Sequence, residues 1–185
     1  MKPRAATPED AAAIADIYAH FVTGSSVSFE TEPPGEAAMR ARLEAGGGLY
    51  PWLVGEAGNG SILGYAYAAR FRDRPAYRFA VETSVYLRAD AAGRGLGQRL
   101  YEPLLAALEA QGFTQAIAAI TLPNEASVRL HERLGFERAG TYRQVGWKLG
   151  AWHDVGLWQR RLARAGRPPV EPLPLSVIPD LIRDP

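Results

Sequence analysis

The stretch that most constrains this chain is Gly93-Arg94-Gly95-Leu96-Gly97, which lies between two differently patterned runs. Before it, Phe79, Val81, Thr83, Val85 and Leu87 alternate with Arg78, Ala80, Glu82, Ser84 and Tyr86, the period of a half-buried strand. After it, Leu100, Leu104, Leu105 and Leu108 recur at helical spacing until Gly112. A strand must therefore pass into an amphipathic helix through a glycine-rich turn. Glycine takes positive φ without steric cost and lets the backbone approach a ligand. The free amides at a helix N-terminus then bind anionic oxygen, typically phosphate. No lysine with serine or threonine follows, so the turn is not a Walker loop. Position 100 is leucine rather than glycine, so the dinucleotide fingerprint fails as well. These residues alone leave two readings open: a plain structural turn and an anion site.

The rest of the chain sets this unit in a mixed fold. Thr7-Pro8-Glu9-Asp10 predicts a helix start, and Ala13, Ile14, Ile17, Tyr18 and Phe21 continue it until about Gly24. A second helix is predicted over 36–45, stopped by Gly46-Gly47-Gly48. Strands are predicted over 49–56, 62–72 and 77–87, the first two joined by Gly58-Asn59-Gly60. A buried strand at 116–122, a Pro123-Asn124 turn, a helix over 125–134 and two strands near 136–149 and 151–162 follow. That order predicts an α/β (α+β) single domain without doubly wound alternation. The domain is expected over 1–164. The remainder, 165–185, is expected to be a disordered or loosely docked tail, because six of the fourteen prolines fall there.

Composition removes several function classes. Cysteine is absent, which excludes disulfides, thiolate zinc sites and a cysteine nucleophile. The only histidines are His20, His131 and His153, too few for a multi-histidine metal centre, so no metal is expected. A net charge of +1 gives no global case for nucleic acid. No apolar run reaches the ~20 residues of a membrane helix, and the N-terminus lacks the apolar stretch of a signal peptide. No nucleic acid, no membrane and a cytoplasmic location are the expectations. Only Lys2 and Lys148 are lysine, so arginine supplies nearly all the positive charge, which suits planar recognition of carboxylate or phosphate.

Asn124-Glu125-Ala126-Ser127-Val128-Arg129-Leu130-His131-Glu132-Arg133-Leu134-Gly135-Phe136 is the second chemically informative stretch. Asn124 stands where a helix cap belongs. Ser127, Leu130, His131 and Leu134 share one helix face, so His131 is expected to point inward, where a satisfied core histidine is the plain alternative to a functional one.

Together with the glycine turn, this pattern resembles the GNAT acetyltransferase superfamily. Within it, the chain is similar to the phosphinothricin and methionine sulfoximine acetyltransferases over about residues 3–160. Ser28-Phe29-Glu30-Thr31-Glu32-Pro33, Tyr50-Pro51-Trp52-Leu53-Val54, Ala76-Tyr77, Glu82 with Ser84-Val85-Tyr86, Leu108-Glu109-Ala110-Gln111-Gly112-Phe113 and Trp152-His153-Asp154-Val155-Gly156 carry that closer likeness. It implies a single-domain GNAT fold, a mixed central sheet of about six to seven strands flanked by about four helices. It also implies acetyl-CoA as co-substrate, a small-molecule amine as acceptor and a homodimer.

The same resemblance distributes roles. Glu82 would be the general base that deprotonates the arriving ammonium. Val85, Tyr86 and Leu87 would hold the pantetheine and acetyl arm through their backbone. Gly93, Arg94, Gly95, Leu96, Gly97 and Gln98 would bind the pyrophosphate, and Asn124 and Ser127 would complete the cofactor site. Ala92 departs from the glutamine or arginine that often opens this turn in the superfamily, so Arg94 would bring the positive charge. His131 occupies the position where many relatives carry a proton-donating tyrosine; donor, packing and substrate-contact roles all fit it. Arg72, Arg74 and Tyr77 would hold the acceptor's acidic groups, with Phe29 and Thr121 lining the pocket. Trp147, Trp152 and Trp158 suit core or dimer contact. His153-Asp154 has no G-x-S-x-G serine beside it, so hydrolase chemistry is not expected. Two rivals remain: a GNAT enzyme acting on a protein N-terminus or polyamine, and a non-catalytic acyl-CoA-binding module.

Overall fold

A computed structural model describes residues 1–46, 48–166 and 168–177. The strands are β1 (Lys2–Ala5), β2 (Trp52–Glu56), β3 (Ile62–Arg70), β4 (Ala80–Leu87), β5 (Gln115–Leu122), β6 (Glu137–Lys148) and β7 (Ala151–Arg161). The helices are α1 (Ala11–Thr23), α2 (Glu36–Ala45), α3 (Leu96–Ala110) and α4 (Glu125–Arg133). All seven strands join one sheet in the order β1-β2-β3-β4-β5-β7-β6. Only β4 and β5 run parallel; the other neighbours are antiparallel.

Period-two alternation in the strands sends side chains to two cores. On one face α3 buries Leu100, Tyr101, Leu104, Leu105 and Leu108 against Leu53, Ala66, Val81, Ala116, Ala118 and Phe136. Each such aliphatic side chain contributes roughly 1.5–3 kcal/mol on full burial. On the other face α1 and α2 bury Ile14, Ile17, Tyr18, Val22 and Met39 against Val54 and Tyr65.

The structure corrects the sequence expectation at several boundaries. β1 is an addition. It is a four-residue edge strand containing Pro3, too short for periodicity to reveal. Its Arg4 bonds Glu56 on β2 and Asp10 ahead of α1. β2 starts at Trp52 because Leu49 and Tyr50 turn back to the Gly46 carbonyl. The third predicted strand starts only at Ala80. Pro75 opens a 3₁₀ turn over Pro75–Tyr77, so Tyr77 and Arg78 belong to the loop.

Where a disordered or loosely docked tail is expected, residues 168–177 lie along the domain. The Leu173 N–H donates to the Gln111 carbonyl at 2.8 Å and the Leu175 N–H to the Gly48 carbonyl at 2.8 Å. Residues 178–185 lie outside the described residues.

Candidate active site

The sheet opens at one place. β4 and β5 pair only at Ala80↔Gln115, Val81↔Ala116 and Glu82↔Ile117, although each strand runs eight residues. Beyond Glu82 the two strands part, and residues 83–87 have a ladder neighbour on the β3 side alone. Because parallel strands end at the same edge, the N-termini of α3 and α4 both flank this opening. The Val85-Tyr86-Leu87 backbone runs along it. The Tyr86 side chain does not. It packs among Tyr18, Phe21 and Tyr65 at ring distances of 5.2, 5.0 and 5.3 Å.

Glu82 stands at the apex. It is mostly buried and has no hydrogen-bond partner among the described residues. Desolvation therefore pushes its pKa above the usual carboxylate range, partly offset by the positive charge of Arg72. A carboxylate so placed titrates closer to neutrality and binds a proton more readily than a solvated one, as a general base requires.

A buried chain on the opposite face pins the same apex. Thr83 donates to the Ile117 carbonyl at 3.3 Å, bridging the strands where pairing ends. The Tyr101 hydroxyl of α3 donates to Thr83 Oγ1 at 2.5 Å, and His131 Nε2 of α4 lies 3.2 Å from that hydroxyl. His131 Nδ1 donates to the Ser127 carbonyl at 2.8 Å, and Ser127 Oγ lies 3.3 Å away. His131 thus points inward as its helical spacing suggests, only 4% exposed, with Nδ1 bonded to Ser127 and Nε2 beside the Tyr101 hydroxyl. Burial lowers its pKa, so the imidazole is neutral near pH 7.

The glycine turn takes the geometry its composition allows. Gly93 and Gly95 have φ of 74° and 73°, and a Cβ at either would meet nothing within 4 Å. These glycines answer to backbone conformation rather than crowding. Gly97 differs. A Cβ there would lie 3.1 Å from Leu130 and 3.6 Å from Leu87, so it lets α3 approach β4 and α4. Gly95 caps α3 without a side-chain acceptor, which leaves the amides of Leu96, Gly97 and Gln98 open to an anion, with exposed Arg94 beside them. Gln98 itself turns along the helix to Glu102 at 2.8 Å. Asn124 caps α4, its Oδ1 accepting from the Ser127 N–H at 3.1 Å. It lines a cavity of about 560 Å³ with Leu122, Val128 and Trp152. A larger hollow of about 980 Å³ lies on the α1 side of β4. Its Asp10 and Asp90 are paired with Arg4 and Arg88, and Glu9 and Asp16 add negative charge, so the turn's open amides are the better anion site.

Register also places the acceptor residues. Ala69 faces Glu82 across β3–β4, and Glu82↔Ile117 and Thr121↔Val155 put Thr121 on the sheet face of Glu82. Arg72, Arg74 and Tyr77 sit on the exposed loop after β3. Phe71 holds Arg72 over its ring at 4.9 Å and meets Tyr77 edge-on at 5.7 Å. Arg72 comes close enough to act on Glu82, whereas Arg74 has only its backbone engaged. Phe29 lies farther along the same face, over Gly146 and 6.3 Å from the His153 ring.

Several surrounding residues are given no role by the sequence. Ala69, Arg70 and Asp73 border a cavity of about 420 Å³ whose other walls include Arg42, Tyr50, Trp52, Tyr65 and Tyr67. Trp52 and Tyr67 stack at 4.1 Å, paired by register across β2–β3. Glu30 receives both Arg42 nitrogens at 2.8 and 2.9 Å and the Tyr18 hydroxyl at 2.9 Å, while Lys148 Nζ donates to the Ser28 carbonyl at 2.6 Å. These bonds anchor the loop that carries Phe29. His153 and Asp154 hold the backbone at Lys148 and Gln144, and Trp158 is buried in the core.

Comparison with known proteins decides the family. The sequence profile of the Acetyltransferase (GNAT) domain matches residues 4–157. The chain belongs to the GNAT acetyltransferase family. A phosphinothricin N-acetyltransferase from Streptomyces viridochromogenes is 46% identical over 92% of this chain and 93% of that protein. An L-methionine sulfoximine/L-methionine sulfone acetyltransferase from Pseudomonas paraeruginosa is 40% identical over 75% of this chain and 82% of its own length. The crystal structure of a GNAT phosphinothricin acetyltransferase from Sinorhizobium meliloti in complex with acetyl-CoA superposes with a TM-score of 0.87 at 37% identity, covering 100% of this chain and 98% of that one.

Proposed function

We propose that this GNAT enzyme transfers acetyl from acetyl-CoA to the amino group of a small amino-acid-like acceptor, of the phosphinothricin, methionine sulfoximine or methionine sulfone type. The relatives support the activity. Glu82 carries the mechanism proposed for this chain, as a mostly buried carboxylate with raised pKa at the point where the sheet opens.

In this reading acetyl-CoA lies along the opening. Its pyrophosphate meets the open amides of Leu96, Gly97 and Gln98 with Gly93, Arg94 and Gly95 shaping the turn, and its arm runs past Val85-Tyr86-Leu87 and Asn124. Ser127 serves this site through α4, since its side chain turns toward His131. The acceptor enters from the face of Thr121 and Phe29, its carboxylate held by Arg72 or Arg74 and its flank by Tyr77. Glu82 takes a proton from the ammonium, directly or through water. The freed lone pair attacks the thioester carbonyl, and a β4 backbone amide stabilises the oxyanion. The carbon–sulfur bond then breaks, leaving N-acetylated product and a CoA thiolate that takes up a proton. His131 takes no direct part in this last step, being neutral and bonded away from the opening; it helps fix Tyr101 and Thr83 at the apex.

The arginine pair weighs against polyamine acceptors, and an acyl-CoA-binding module would have no use for Glu82. The exposed apolar patch of Tyr142, Trp147, Leu149 and Trp152 on the β6–β7 hairpin favours a homodimer, and a cytoplasmic setting completes the reading. Thiol release from acetyl-CoA across a panel of amines tests the activity. Phosphinothricin or methionine sulfoximine should lead the panel; if carboxylate-free amines turn over faster, the acceptor class is wrong.

A further inference from the structure

The cavity of about 420 Å³ that borders the acceptor loop is closed at two places outside the middle of the sheet. One follows α2 and includes Gly46 and Tyr50; the other is the loop after β3, represented by Asp73 next to Arg70 at the strand's end. The C-terminal tail grips both. At the second wall, Arg78 ends the loop that bears Arg74 and Tyr77. Its guanidinium donates to the Pro75 carbonyl at 3.1 Å and meets the Glu171 carboxylate at 2.6–3.0 Å. At the first wall, the Leu175 N–H donates to the Gly48 carbonyl at 2.8 Å.

Gln111 stands between them. Its side chain is 1% exposed, and its Nε2 donates to the Leu49 carbonyl at 3.0 Å and to the Leu173 carbonyl at 2.9 Å. The Leu173 N–H returns a bond to the Gln111 carbonyl. Gln111 Oε1 has no partner among the described residues, so the two Nε2 bonds are all that hold the side-chain amide. If the tail departs, a buried N–H2 group loses half of its bonding, an outcome that costs more than a lost surface contact. The Pro172-Leu173-Pro174-Leu175 pattern suits the task. The prolines hold the segment extended before it docks, and the leucines alternate with them to supply the N–H donors that proline lacks.

We propose that the tail is a strap that positions the acceptor site, with Glu171, Leu173 and Leu175 as positioning residues that fix both walls without touching the acceptor. The assignment rests on reading the Arg72–Tyr77 loop as the acceptor wall. It makes acceptor affinity depend on the tail while acetyl-CoA affinity does not, because the cofactor elements at Gly93–Gln98 and Asn124 make none of these bonds.

The test uses full-length variants. Leu173→Pro combined with Leu175→Pro removes both backbone donors, and hydrogen exchange over 163–177 reports whether the strap is released. Release should raise KM for methionine sulfoximine by about fivefold or more, the scale of one lost hydrogen bond, with KM for acetyl-CoA within about twofold. Glu171→Gln and Arg78→Gln should each give a smaller rise, and the pair together no more than either alone. Continued docking in the double-proline variant, release without a change in acceptor KM, or equal movement of both KM values would each overturn the proposal. Arg74→Ala in parallel separates the two ideas. If it raises acceptor KM while strap release does not, the strap alone fails. If strap release raises KM and Arg74→Ala does not, the strap stands and the arginine clamp fails.

Discussion

Glu82→Gln should have two effects of opposite sign. The substitution keeps the shape of the side chain and removes its charge. Loss of a general base lowers turnover about 10²–10⁴-fold, or about 2.7–5.5 kcal/mol of barrier. Stability should change in the other direction. The raised pKa of Glu82 means that the fold favours its protonated form, since burial outweighs the pull of Arg72. A carboxyl whose folded pKa exceeds its unfolded value contributes stability below the unfolded pKa and loses it as pH rises through the folded one. Wild type therefore bears a cost near neutrality that glutamine does not, at about 1.4 kcal/mol for each tenfold rise in the carboxylate's proton affinity on folding. The variant should melt higher than wild type at about pH 7.5, with the gap closing toward about pH 4, below the ordinary glutamate pKa. Its deficit in turnover should shrink at high pH, where the amine arrives deprotonated. Thiol release measures the first effect without background, because the protein has no cysteine; melting temperature across pH measures the second. Wild-type turnover at pH 7 would refute the base. A lower melting temperature near neutrality would show that the Arg72 attraction exceeds the burial cost.

Gly95→Val should cost about 1–2 kcal/mol of backbone strain at φ 73° and leave a folded protein. It should also abolish the roughly 2.7 kcal/mol of stabilisation expected from acetyl-CoA at a hundred times its dissociation constant; an unchanged thermal shift would sink the pyrophosphate assignment. Gly97→Val instead forces a Cβ into Leu130 and should lower melting temperature before any ligand is added. His131→Phe should reduce turnover less than Glu82→Gln, and an equal loss would make His131 an essential acid. Because burial depresses the His131 pKa, wild type has stability above about pH 6.5 that it loses as pH falls through the lowered value. The phenylalanine variant should lack that acid sensitivity. Arg74→Ala should raise KM for phosphinothricin about tenfold or more, the scale of a charge-assisted bond. Lysine there should recover only part of the loss, and acetylation of such acids at wild-type KM by both variants would remove the arginine clamp.

Whatever depends on neighbours a few residues apart is legible in the sequence. Helical spacing locates α1 to α4 and turns His131 inward; alternation puts Glu82 and Thr83 on opposite faces of β4. The glycines announce the start of α3. Pro75 is the local signal that shortens the strand after it, since proline at the first position of a 3₁₀ turn takes Tyr77 out of the ladder. Features that depend on register cannot be read this way. β1 becomes a strand only because Pro3 and Arg4 find Gly55 and Val54 on β2. The opening exists because pairing of β4 with β5 stops at Glu82, a limit that the alternation within either strand does not reveal. His131 is recognisable as buried, but its neighbour Tyr101, and Thr83 beyond it, come from separate elements, so the buried chain leaves no mark in the sequence. The tail shows the same limit most plainly. Proline density argues for an unstructured segment, and considered alone it has little to fold around. Gln111, 62 residues away in sequence from Leu173, supplies the buried amide that gives it a place. Composition describes what a segment does in isolation. A proline-restricted segment also loses less entropy on docking, so the feature that suggests disorder also suits the segment to serve as a strap.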